Sequence, residues 1–83
     1  MWVYDMKEIL AERLRKCREE VDFPQIRVAT YCDISEHTYQ NYESARQKPR
    51  VSILVRIAKF YNVPIDYLVG LTDETMPHPR RSE

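Results

Sequence analysis

The side chains able to do chemistry in this sequence are few, and their spacing narrows the options quickly. Cys17, Cys32, His37 and His78 are the soft metal ligands, but they stand 15, 5 and 41 positions apart and match no zinc pattern. Both cysteines fall on apolar helix faces, where a thiol serves as a small hydrophobe. No nucleophile elbow, glycine-rich phosphate loop or carboxylate cluster accompanies the serines and histidines. No enzyme activity, no cofactor and no metal are therefore expected. What remains is recognition. Ser35, Glu36, His37, Thr38, Gln40 and Asn41 form a nearly unbroken run of hydrogen-bonding side chains. Just beyond it, Arg46, Lys48 and Arg50 concentrate positive charge opposed nearby only by Glu43. Alone, such a face and such a loop are ordinary solvated surface. Their meaning depends on what positions them.

The chain has 83 residues, room for one domain, and a domain of that size buries only about 60% of its unfolded surface. With 43% hydrophobic residues it can still build one small core. A single Gly argues against sandwiches and barrels, whose tight turns lean on that residue. The economical fold is all-α. No stretch approaches the roughly 20 apolar residues that cross a bilayer, and the start at Met1 lacks the apolar core of a signal peptide. Two cysteines are too few for a disulfide scaffold, so a reducing cytoplasm and no membrane association are expected. Thirteen basic and 13 acidic residues balance, which removes any strong indiscriminate pull on polyanions but not a local basic patch.

The hydrophobic period is helical almost throughout. Leu10, Leu14, Cys17 and Val21 recur at steps of four, three and four, giving an amphipathic helix from about Met6 to Glu20. Pro24 stops it and suits the first turn of a second helix, about Pro24 to Tyr31, with Val28, Ala29 and Cys32 inward. Cys32-Asp33-Ile34 reads as a tight turn, and Ser35 as the N-cap of a third helix reaching about Glu43. Tyr39 and Tyr42 are its core residues. Residues 44–50 are a loop. A fourth helix carries Leu54, Ile57, Ala58 and Tyr61 and is capped by Asn62; a fifth opens at Pro64 and closes at Gly70. The expected domain is 1–71, with 72–83 a disordered tail. Helices two and three are joined by only about three residues, which forces a steep crossing. That is the geometry of a helix-turn-helix, whose second helix enters the DNA major groove.

Gln25-Ile26-Arg27-Val28-Ala29, Asp33 through Tyr39, Tyr42-Glu43, Pro49, Ile57-Ala58 and Asn62 through Gly70, in this order and spacing, resemble the Cro/CI-like (Xre-type) helix-turn-helix family. Its members include lambdoid phage repressors and many small bacterial regulators. The resemblance spans roughly Ile9 to Leu71. It implies a compact five-helix, lambda-repressor-like domain that binds double-stranded DNA and controls transcription, usually as a repressor, in a bacterial or phage-encoded setting at the nucleoid. The third helix, about Ser35 to Glu43, becomes the recognition helix.

On that resemblance, Gln25 is a phosphate contact at the start of helix two, and Ala29 the small residue where helices two and three pack closely. Asp33 stands where the family usually has Gly. It tolerates the left-handed conformation at a cost of ~1 kcal/mol. Ser35, Glu36, His37, Gln40 and Asn41 become base contacts: Asn41 matches adenine bidentately, Glu36 accepts from cytosine, and His37 donates to guanine N7. Arg27, Thr38, Arg46, Lys48 and Arg50 join Gln25 as phosphate contacts. Each neutralised phosphate adds about 0.9 to the magnitude of the log–log salt slope.

Arg18 and Glu43 fall where some phage repressors of the family hold a structural ion pair between helices one and three. A homodimer on a two-fold operator is expected, with half-sites about one helical turn apart. Its candidate surfaces are Ile65, Tyr67, Val69 and Leu71, or the apolar start at Trp2, Val3 and Tyr4. A regulatory signal would act through a protein partner, abundance or degradation. A protein-interaction module on the same fold, antitoxin-like or anti-regulator, is the alternative; Glu36, neutral charge and Ile26 at a normally polar position favour it.

Overall fold

The computed structural model describes residues 6–75. Five helices appear in the expected order: α1 Met6–Val21, α2 Gln25–Cys32, α3 Glu36–Glu43, α4 Val51–Tyr61 and α5 Ile65–Leu68. The boundaries move slightly. Pro24 and Pro64 are extended N-cap residues just before α2 and α5, not part of their first turns. Each has φ of −71°, which the pyrrolidine ring supplies at no cost, and an amide that would be unpaired there anyway is simply missing. Ser35 caps α3 as expected, its hydroxyl accepting from the Thr38 amide.

All five helices stop the same way. Asp22, Asp33, Ala45, Asn62 and Gly70 take positive φ, and the amide of the next residue bonds back to a carbonyl five positions earlier. This Schellman geometry satisfies carbonyls the helix leaves open. Glycine is its usual residue, yet only one of the five is Gly. Asp and Asn tolerate the left-handed region better than most residues; Ala45 gains nothing there and carries the full steric cost. In four cases the following residue is apolar, Phe23, Ile34, Val63 and Leu71, completing the motif's hydrophobic contact in sequence terms.

Leu10, Leu14, Val28, Ala29, Cys32, Tyr39, Ile57 and Leu68 form the buried centre. Ala29 is fully enclosed where α2 meets α3, as the short turn demands. Val21 departs from its expected face and is 42% exposed, because it ends α1 where no other helix covers it. Tyr67, expected as a candidate dimer contact, is instead 2% exposed under the guanidinium of Arg13, which lies 4.3 Å from its ring. Arg13 also donates to the Thr72 carbonyl and to Asp73, so the chain is fastened to α1 two residues past the expected boundary at 71. The expected surface at Trp2, Val3 and Tyr4, the tail from residue 76, and His78 lie outside the described residues.

One charged group belongs to this core. Glu43 is 4% exposed, and its carboxylate accepts from Arg18 Nε at 2.7 Å, Arg18 Nη2 at 3.1 Å and Gln25 Nε2 at 3.1 Å. Arg18 comes from α1, Gln25 from the start of α2, and Glu43 ends α3. Arg18 spends a further hydrogen on the Phe23 carbonyl, fixing the α1–α2 corner. Hydrogen bonding to Glu43 holds the guanidinium above its usual range, against the opposing effect of burial. Beside it, the hydroxyls of Tyr39 and Tyr61 share a 2.7 Å bond linking α3 to α4. Burial pushes both phenols up; the Tyr61 hydroxyl adds to the rise at Tyr39, while at Tyr61 the same bond works against burial, which prevails.

Two outcomes follow. Arg18→Ala leaves a buried carboxylate with Gln25 alone and should cost about 3 kcal/mol, while Arg18→Ala with Glu43→Ala should cost clearly less than the sum of the single changes. Chemical denaturation of the four proteins measures this, and additive losses would mean the two groups do not interact. Ala45→Gly relieves the left-handed cost but adds unfolded-state entropy, so it should stabilise by about 0.5–1 kcal/mol, a rise of several degrees in Tm. A lower Tm would show that the Ala45 methyl packs favourably.

Candidate nucleic-acid interface

The outer face of α3 is set by what its inner face must do. Tyr39, Tyr42 and Glu43 are buried, so at 3.6 residues per turn His37, Asn41 and Ser44 point away from the protein, with Glu36 and Gln40 beside them. Glu36, His37 and Gln40 are exposed and their side chains make no hydrogen bond or ion pair within the described residues; they are free to accept or donate outward. Asn41 is half-buried and gives one amide hydrogen to Gln47 Oε1 at 3.3 Å. Its carbonyl and second hydrogen remain, the acceptor and donor that adenine's edge requires. Gln47, which the sequence reading passed over, thus orients Asn41 from the following loop.

Ser35 and Thr38 are occupied differently. The Ser35 hydroxyl accepts from the Thr38 amide and donates to Thr38 Oγ1 at 2.9 Å, so towards a base it can only accept. Gln25 is turned inward onto Glu43, leaving its second amide hydrogen for any phosphate. Arg27 stands apart from the other expected contacts. Its guanidinium lies 4.3 Å from the Phe23 ring on the outer side of α2, beside a shallow apolar groove formed by Pro24, Ile26, Tyr31 and Phe60.

The basic loop does not act as one strip. Arg46 faces a groove between α3 and α1, where it meets Arg15, Arg18, Gln25, His37 and Gln40. Lys48 and Arg50 face a second groove on the other flank of α3, with Thr38, Ser52 and Arg56. Two grooves carrying excess positive charge therefore border one polar helix. Arg15 and Arg56 were not expected here. Arg15 had a local signal, since it lies three positions from Arg18 and so on a neighbouring face of α1. Arg56 had none, because only the packing of α4 against α2 brings it close.

Among the described residues no group of three or more His, Cys, Asp and Glu side chains converges as a metal site would. Cys17 and Cys32 are buried free thiols, and burial pushes the Cys17 thiol up to about 11. No described helix is long and apolar enough to cross a membrane.

An α-helix with its side chains is about 10–12 Å wide, and the major groove of B-DNA is about 12 Å wide. A polar helix bordered by cations on both flanks has the width of that groove and carries both hydrogen-bonding groups and positive charge.

Known proteins place this geometry in context. The helix-turn-helix family matches over residues 14–68. The uncharacterized HTH-type transcriptional regulator YobD of Bacillus subtilis is 34% identical over 70 residues, covering 84% of this chain and 62% of YobD. The cryptic phage CTXphi transcriptional repressor RstR of Vibrio cholerae is 31% identical over 75 residues, covering 90% of this chain and 68% of RstR. ImmR, an HTH-type transcriptional regulator of Bacillus subtilis, is 31% identical over 74% of this chain and 48% of its own length. The chain thus spans roughly half to two thirds of these relatives. In fold it is similar to the SOS-response transcriptional repressor LexA from Eubacterium rectale, with a TM-score of 0.76 at 20% identity over 100% of this chain and 93% of that one. With the motif residues in sequence, α2 packed against α3 across a three-residue turn and a family match over most of its length, the chain belongs to the helix-turn-helix family of Cro/CI-like regulators.

Proposed function

We propose that this protein is a transcriptional repressor that binds double-stranded DNA sequence-specifically, with α3 in the major groove. The observation that carries the reading is the free polar edge of α3 (Glu36, His37, Gln40 and Asn41), held outward by a buried carboxylate and bordered by cations. Base edges are read by hydrogen bonds and phosphates by charge, and here the two chemistries sit side by side. The names of the relatives, transcriptional regulators and a phage repressor among them, support the same reading.

Affinity is the reason to expect two copies. A module with one short recognition helix contributes few base contacts, and a homodimer on a two-fold operator doubles them. With Tyr67 buried, and Ile65 and Val69 partly buried against the core, the exposed apolar residue near α5 is Leu71, at 75%. The protein acts in the cytoplasm on nucleoid DNA, without an enzymatic step. Regulation acts through a protein partner, abundance or degradation.

A second reading, a protein-interaction module on the same fold, draws on Ile26. It is 47% exposed beside Tyr31 on the outer side of α2, an apolar choice at a position that normally carries a polar residue.

Selection from a random duplex library at near-physiological salt separates the two. The expected result is a near-palindromic site with half-sites about one helical turn apart. Asn41→Ala should then lose about 1–3 kcal/mol of discrimination at one base pair per half-site and leave the others intact. A folded protein that enriches no duplex would overturn the DNA reading and turn attention to Ile26 and Tyr31.

A further inference from the structure

We infer that Arg15 and Arg56 are phosphate-binding residues, one for each strand of the duplex, bracketing α3 from outside the helix-turn-helix. The inference rests on the DNA-binding reading and adds to it two residues from α1 and α4.

Both side chains are exposed, and both are anchored in the same manner. Arg15 Nη1 donates to the carbonyl of Glu43, the last residue of α3. Arg56 Nη1 donates at 3.1 Å to the carbonyl of Cys32, the last residue of α2. A guanidinium has five N–H donors, so each keeps most of its fork while its position is fixed by one bond. Among the described residues neither is paired with a carboxylate. Anchoring removes much of the rotamer entropy that a free surface arginine loses on binding an anion.

Their placement is what assigns them to opposite strands. Arg15 lies in the α1-side groove, where three guanidiniums, Arg15, Arg18 and Arg46, face the single carboxylate of Glu43. Arg56 lies in the α4-side groove with Lys48 and Arg50, where no carboxylate lines the wall. The α3 residues that meet these grooves sit on different sides of the helix, Gln40 towards α1 and Thr38 with Tyr42 towards α4. A helix that fills the major groove has one phosphate backbone along each flank. Two anchored arginines, one per flank, meet both.

Capping a helix C-terminus is what these arginines would do without DNA. The salt dependence of binding separates the roles, because a cap affects stability and leaves the number of released counterions alone. The experiment measures Kd for a mixed-sequence duplex over a range of salt for the wild type, Arg15→Gln, Arg56→Gln, both together, and the two Lys variants. Thermal unfolding confirms that each is folded, and Lys59→Gln, exposed on α4 outside both grooves, is the charge control. Each Gln change should lower the magnitude of the log–log slope by about 0.9, the pair by about twice that, and the Lys variants should retain it. Unchanged slopes in Gln variants, with the wild type still binding duplex, would leave the arginines as helix caps and the DNA reading intact. An equal loss in Lys59→Gln would also overturn the proposal, as a general effect of charge. A folded wild type with no salt-dependent duplex binding would remove the DNA reading, and this inference with it.

Discussion

A carboxylate buried among three helices is the constraint on which the rest of this structure depends. Taking a charge out of water costs several kcal/mol after relaxation, and Glu43 regains that only if its lone pairs are filled. Arg18 and Gln25 fill them. Because the donors come from α1 and α2 while the acceptor ends α3, satisfying one group fixes the relative position of three helices. An apolar contact would tolerate sliding; a forked guanidinium on a carboxylate does not. The outward direction of the α3 polar edge is therefore a consequence of an inward bond.

That bond also explains the division of labour at the surface. No Lys or Arg lies on α3, so the helix carries little charge to hold it on DNA indiscriminately. The cations stand around it, on α1, the 44–50 loop and α4. On the proposed DNA-binding function, binding strength and base discrimination fall to different residues, and a chain of zero net charge still presents a locally positive face. Glu36 fits this scheme. A carboxylate at the first turn of α3 is favoured by the helix dipole, and at a base edge it selects an amino group while it repels a phosphate.

Much of this was legible along the sequence. Period-3.6 spacing located the helices, prolines and Ser35 marked their starts, and the scarcity of Gly excluded most β architectures. The buried tyrosines of α3 followed from their spacing and from the family pattern. Helix endings were half legible: Asp33 and Asn62 are residues that accept the left-handed region, but nothing local marks Ala45 for it. Val21 continues the apolar period of α1 and still emerges from the core, because periodicity says which face is apolar and not how far the neighbouring helices extend. Tyr67 reads as a surface aromatic until Arg13, 54 positions away, is seen to cover it. Arg15 and Arg56 were missed for the same reason. Their carbonyl partners lie 28 and 24 positions distant, and no spacing rule reaches across helices.

The central claim, that one face built from α3 and the cations on its flanks meets DNA, is tested most directly by amide chemical shifts. The ¹⁵N-labelled protein would be titrated with a mixed-sequence duplex about two helical turns long at low salt. The account predicts shifts concentrated at 35–41 and 46–50 and beside Arg15 and Arg56, with α5 and the first turns of α1 unmoved. Shifts centred instead on Ile26, Thr30 and Tyr31, or on the segment from Ile65 to Leu71, would contradict it.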